Sequence, residues 1–503
     1  MKTKYFFLAA AAALFAACSS DDGIAEQQQA KQQAEQVPVA FDSYVNRTTT
    51  RAGATGIITT NGVPAGTTSL QTAELGFGVF GYYTNADNYD QTFTPNFMYN
   101  QHVTFASSKW SYLPVKYWPN EFGSNAASDD RDKVSFFAYA PYVTVNPTSG
   151  KVKKPETATY DNDNGDTTYG IVGMKANNAT GDPMVKYIAS FYTDKQVDLL
   201  WATIPSSQKW LTKQAGTDLA SNWVAGTPWL NVEHPTTTST DWTSAQKVSF
   251  DFKHGLAAMV INVDTYANKP TPAGSAGTAG KPADETKVYI RSVTFEGFDT
   301  KGALNLNNSV KNKAFWYNFN CLEELNNGSE TTIKDGRKDG KEGLTAATKE
   351  YAAINPDFVQ STIWGSTSPA EAPGVTEVAA NLFCTSATPA VAGGSTDPIF
   401  VIPNNDPLKI TIEYDVLTAD PNLAGTLNDG KTPGSVVKNV ITRYITTGEY
   451  SAGDATTAAN GIVLENGNKY TINLHLGLNS VEFDASVTGW DDAKGGASLP
   501  HNN

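Results

Sequence analysis

From Val37 onward the apolar residues recur at every second position, the period of a strand with one buried face. Val37, Val39, Phe41, Ser43 and Val45 fall on one side of an extended chain, and Pro38, Ala40, Asp42 and Tyr44 on the other. Pro38 has no amide hydrogen to donate, which suits the start of an edge strand. The same pattern predicts strands over 75–83, 110–115, 133–139, 197–202, 246–252, 256–263, 287–295, 399–402, 408–416 and 469–487, separated by Gly, Pro, Asn and Asp clusters. A helical pattern of useful length occurs at 344–354. The expected class is all-β, arranged as two sandwiches.

The last of these segments changes parity. Large residues occupy even positions from Tyr470 to Leu478 and odd positions from Val481 to Val487. Because side chains alternate across a strand, a parity change reverses the buried face, so a turn or bulge is expected near Asn479-Ser480. Two strands should therefore close the chain.

The N-terminus reads as an export signal. A short basic start, Met1 to Lys4, precedes an apolar run from Tyr5 to Ala17 that is shorter than the roughly 20 residues needed to span a bilayer. Small residues then lead to Cys18, as in a bacterial lipoprotein signal, with Phe15 standing where leucine is usual. Cys18 would be the acylated N-terminus; the alternative is an ordinary signal peptide that discards it. Residues 19–36 are a polar Gln/Glu/Ala/Asp run without periodicity, the composition of a tether. Among the 503 residues, a net charge of −14 and no basic stripe argue against nucleic acid as a partner. Two cysteines remain besides Cys18: Cys321 and Cys384 either form one disulfide or stay as buried thiols, and the sequence leaves both open.

Catalytic chemistry finds no footing. The five histidines are scattered, without metal-ligand spacing, and no nucleophile elbow or phosphate loop occurs, so neither an enzyme nor a cofactor is expected. His254 reads as a structural residue at a strand end. Asp161 to Asp166, DNDNGD, has the oxygen ligands of a calcium loop but misses its register, and an Asx-rich turn is the competing reading. The stretch VNRTTTRAG, residues 45–53, places Arg47 and Arg51 in a polar connector of the kind that proteases prefer.

Several segments taken together, SKWSYLPVKYWPN (108–120), VSFFAYAP (134–141), VDLLWA (197–202), VSFDFKHGLAAMVINV (248–263), VYIRSVTFEG (288–297), KGALNL (301–306), FVIPNN (400–405) and NKYTINLHLGLNSVEFDASVTGW (468–490), resemble the fimbrillins of Bacteroidales, subunits of type V pili. The resemblance runs from the lipoprotein signal to Trp490 and is weakest over 303–398, taken as an insertion-rich part of the second domain. It implies two tandem transthyretin-like β-sandwiches: a signal at 1–17, a lipidated pro-segment at 18–51 that includes the first strand, an N-terminal domain at 52–245 and a C-terminal domain at 246–503. It also implies cutting by an arginine-specific or trypsin-like protease, here between Arg51 and Ala52 or alternatively after Arg47. The strand bearing Val37, Val39, Phe41 and Val45 would then be displaced, and a C-terminal strand of another subunit would fill the groove, either Val481, Phe483, Ala485 and Val487 alone or these together with residues 472–478. Such a chain would begin as an outer-membrane lipoprotein and end in surface fimbriae among other fimbrial subunits, supporting adhesion. A second class is a non-polymerising surface lipoprotein: a fimbrial tip, an anchor, or a glycan-binding module using Tyr82, Tyr83 and Trp118.

Overall fold

The computed structural model describes residues 38–45, 75–85, 87–107, 109–119, 132–152, 170–189, 197–206, 224–233, 247–265, 286–307, 314–317, 352–353, 380–381, 398–426, 430–431, 433–446, 448–449, 461–476 and 481–489. Among the described residues every regular element is a strand. In the first half these are β1 (Phe41–Val45), β2 (Phe77–Asn85), β3 (Met98–Ala106), β4 (Lys109–Ser111), β5 (Lys133–Ala140), β6 (Gly170–Met174), β7 (Met184–Ile188), β8 (Leu200–Thr203) and β9 (Trp229–Glu233). They are followed by β10 (Val248–His254), β11 (Ala257–Thr265), β12 (Thr286–Glu296), β13 (Phe298–Asp299), β14 (Lys301–Asn305), β15 (Phe315–Tyr317), β16 (Ala352–Ala353) and β17 (Ala380–Asn381). The last are β18 (Ile399–Pro403), β19 (Lys409–Ala419), β20 (Gly434–Tyr444), β21 (Gly448–Glu449), β22 (Asn468–Leu476) and β23 (Val481–Gly489).

The N-terminal sheet runs in the order β1-β10-β8-β5-β2-β3-β4, with β9 added beside β5. Its central strands are buried on both faces, which explains their nearly unbroken apolar sequence. In KVSFFAYA, Val134, Phe136 and Ala138 enter one core with Phe77 and Phe250, while Phe137 and Tyr139 enter a second core with Tyr187, Leu304 and Trp316. The sheet also curls until its ends meet. An antiparallel bridge joins Pro38 to Tyr117, and the Phe41 ring lies 5.4 Å from that of Tyr112.

A four-stranded sheet, β15-β14-β7-β6, supplies the other wall of the second core. The remaining sheets are β13-β18-β11-β22-β23-β21, with β17 beside β11, and β16-β12-β19-β20.

Strand pairing runs across position 245/246: β10 pairs with β1 and β8, and β14 pairs with β7. Composition changes along the chain, whereas sheet neighbours are chosen by long-range pairing. The strand expected over 110–115 ends at Ser111, three residues before Pro114, which lacks the N–H a ladder requires. Within the helical pattern at 344–354, Ala352–Ala353 is a strand paired with β12; the rest of that pattern lies outside the described residues. The two strands expected to close the chain are β22 and β23, paired antiparallel from Asn468↔Gly489 to Leu476↔Val481. The parity change marks this break, although Asn479 and Ser480 themselves fall outside the described residues.

Candidate functional site

The strand predicted from the first apolar alternation closes one side of the N-terminal core. Val39, Phe41 and Ser43 are buried, as their shared parity requires. Phe41 sits among three rings: Tyr112 at 5.4 Å, Phe250 at 5.7 Å in a stacked arrangement, and Phe136 at 5.8 Å edge-on. Burying Val39 and Phe41 contributes roughly 1.5 to 3 kcal/mol for each side chain.

The backbone attachments of this segment are fewer than its burial suggests. Along one edge β1 pairs with β10 in parallel, from Phe41↔Val248 to Val45↔Phe252, and the Val248 amide donates to Ala40 O at 2.9 Å. On the other edge the described contacts gather around Val39. The Val39 amide donates to Lys116 O at 2.9 Å, and the Tyr112 hydroxyl donates to Val39 O at 2.8 Å. The same hydroxyl accepts the Lys116 amide at 3.2 Å. Tyr112 and Lys116 thus hold both backbone groups of one residue. Burial pushes the Tyr112 hydroxyl up to about 12, against the smaller lowering effect of its bond to Lys116, so it is a proton donor at ordinary pH.

Among the described residues, the Ser43 Oγ of this strand is buried without a hydrogen-bond partner. A buried hydroxyl left so costs about 1 to 3 kcal/mol.

The chain after Tyr112 forms an apolar lip beside this groove. Leu113 is 82% exposed, and Val115 and Tyr117 are also open to solvent, next to the point where Pro38 bridges to Tyr117.

The candidate donor lies elsewhere. β23 pairs with β22 along its whole length, and on its other side, among the described residues, only β21 follows, through Gly448↔Ala485 and Glu449↔Asp484. Ala485 is buried and Val487 is 40% exposed. β22, by contrast, is held between β23 and a parallel ladder to β11. Val481 and Phe483 pair with Leu476 and Leu474 in the ladder.

Phe41 and Val45 of the first strand are thus paired with β10, and Val39 is held by Lys116 and Tyr112. Val37, Cys18, Arg47, Arg51, Ala52, Cys321 and Cys384 lie outside the described residues, as does Asp161 to Asp166. The aromatics considered for glycan contact do not form such a platform: Tyr82 and Trp118 are buried, and Tyr83 packs partly against the first core. Their alternation in the strand gave no indication of which face would be covered by a second sheet. His254 ends β10 fully buried, with Nδ1 2.7 Å from Asp198 Oδ2. Among the described residues no group of three or more His, Cys, Asp and Glu is placed to hold a metal ion. The role of Tyr112 escaped the sequence, since its partner Val39 is 73 residues away.

No family model matches the chain. Over 124 residues it is 34% identical to the fimbrium subunit Fim1C of Phocaeicola vulgatus. That stretch is 24% of this chain and 26% of the relative, so the chain matches about a quarter of the relative's length. Among solved structures, it aligns with a fimbrial protein from Bacteroides vulgatus at 18% identity and a TM-score of 0.46, covering 90% of this chain and 99% of the other. It also aligns with the fimbrial anchor protein Mfa2 from Porphyromonas gingivalis at 8% identity and a TM-score of 0.25, over 90% and 98% of the two chains. The likeness to Bacteroidales fimbrial subunits noted in the sequence therefore recurs in a relative of that kind, over the quarter of the chain that the two share.

Proposed function

We propose that this chain is a structural subunit of cell-surface fimbriae that polymerises by exchange of its first strand. Export as a lipoprotein through Cys18 would hold the precursor at the outer membrane. Cleavage between Arg51 and Ala52, or after Arg47, by an arginine-specific or trypsin-like protease would release residues 18–51, with β1 and the lipid. The remaining chain would be two tandem transthyretin-like sandwiches, the first of them open along the side that β1 had closed. A C-terminal strand of another fimbrial subunit would then fill the groove.

The observation that carries this reading is the position of β1. It is the terminal strand of its sheet path, it fills a core with Val39 and Phe41, and it leads directly into the arginine-bearing connector. Removing such a strand leaves apolar side chains and unpaired backbone along one line, a strong acceptor for a new strand. The placement of β23 supports it as the donor over β22, because releasing β22 would break two long ladders at once. Groove and donor occupy different places on one subunit, so repetition produces an open filament.

The test is direct. Purified precursor is treated with trypsin, the new N-terminus is mapped, and the product is run on a denaturing gel without boiling. A product starting at Ala52 that runs as a ladder is expected. A precursor that resists cleavage throughout, or a cut product that remains monomeric, would sink the proposal.

A further inference from the structure

We infer that β23 enters the groove in one fixed register, with residue 481 at the place of residue 39, so that Phe483 replaces Phe41 and Ala485 replaces Ser43. This rests on the strand-exchange reading above and adds to it the residue-by-residue match that sets specificity.

The displaced strand reads VAFDSYV over 39–45 and the donor reads VEFDASV over 481–487. Four of the seven positions are identical. Alternation alone would place apolar residues at odd positions in any two such strands. It would not place the aromatic third in both, an aspartate directly after it, and a small residue two positions beyond it.

Each shared feature answers something in the groove. The pocket formed by Tyr112, Phe136 and Phe250 holds a ring, and Phe483 is the one aromatic residue between Val481 and Gly489. A two-residue slip would put Val481 or Ala485 there and leave a void; a one-residue slip would turn every odd side chain outward. The clamp made by Lys116 O and the Tyr112 hydroxyl grips an N–H and a C=O without reading a side chain, and Val481 has both groups. Asp42 Oδ1 accepts the Ser43 amide at 2.9 Å, a local bond that Asp484 can make to the Ala485 amide. The one place where the two strands differ on the buried side is the one where β1 fits badly: Ser43 Oγ has no partner, and alanine at that site removes the unsatisfied hydroxyl. The donor is therefore the better occupant, which gives the exchange its direction.

Cysteine pairs in the full chain, with Cys18, Cys321 and Cys384 replaced by serine, read the register. Tyr44 stands opposite Asp251, so Asp251→Cys with Ser486→Cys should give disulfide-linked multimers after cleavage, while Asp251→Cys with Asp484→Cys should not. In the uncleaved chain, Tyr44→Cys with Asp251→Cys should close an intramolecular disulfide, which establishes that the site oxidises. Ladders in which the 251/484 pair cross-links as well as 251/486, or in which neither does, would overturn the register and leave strand exchange standing. Absence of ladders from the cleaved wild-type chain would overturn the exchange itself, and the register with it.

Discussion

If β1 is a removable plug, weakening it should loosen β1 and little else, and Phe41→Ala is the perturbation that separates the possibilities. Phe41 is 3% exposed and contacts three rings, and truncating such a phenylalanine costs about 3 to 5 kcal/mol. For an ordinary core strand that loss is shared by the whole cooperative unit. For a strand that can leave while its sheet survives, it falls on the local opening equilibrium instead. At 1.4 kcal/mol for each factor of ten, amides guarded only by β1 should exchange roughly a hundred- to a thousandfold faster or more. The Val39 amide, bonded to Lys116 O, and the Val248 amide, bonded to Ala40 O, are the reporters. Amides in the β2–β5 ladder serve as the reference. Native-state hydrogen exchange on the uncleaved chain measures both sets. A uniform loss of protection across the N-terminal sheet would refute the reasoning, because β1 would then be inseparable from the fold it completes.

Ser43→Ala removes a buried hydroxyl without a partner and should raise the uncleaved chain's unfolding free energy by about 1 kcal/mol in denaturant titration; a loss of stability would mean that the hydroxyl is satisfied in solution. Tyr112→Phe deletes the bond to Val39 O and strands the Lys116 amide, so the melting temperature should fall by an amount corresponding to about 1 to 3 kcal/mol. Burial also holds the Tyr112 hydroxyl at about 12 rather than 10. The folded chain keeps this proton where the unfolded chain has lost it, so the associated stability is intact below about pH 10 and disappears as pH rises to about 12. Phenylalanine at this position should flatten that part of the stability profile. Asp182 is buried and accepts from Tyr89 Oη, Gln91 Nε2, Asn305 Nδ2 and Asn307 Nδ2 at 2.7 to 3.3 Å. Asp182→Ala leaves several donors unpaired and should cost roughly 3 kcal/mol in chemical unfolding. Replacing Arg47 and Arg51 together by alanine should leave the precursor uncut by trypsin at this connector and monomeric on gels without boiling; ladders from that variant would place the activating cut elsewhere.

The sequence by itself determined the class of structure and the faces of its strands. Val39, Phe41 and Ser43 share a parity and share burial, because a pleated strand offers its side chains only two directions. The shift from even to odd positions near Asn479 divided β22 from β23 for the same reason. Strands without clear alternation were less legible: β6 and β7 are almost wholly buried, and β20 is an edge with exposed Val437 and Val440, so neither kind shows the contrast between two faces. Only the tertiary structure decided which strands are neighbours. Nothing in residues 248–254 announces that they pair with residues 41–45 from some two hundred positions earlier, nor that β14 joins β7. Backbone hydrogen bonding is nearly the same for every strand, so partners are selected by the joint fit of side chains across distant segments. That fit alone placed Tyr112 and Lys116 around Val39 and left Ser43 Oγ without a partner, turning a short alternating stretch into the candidate plug of a groove.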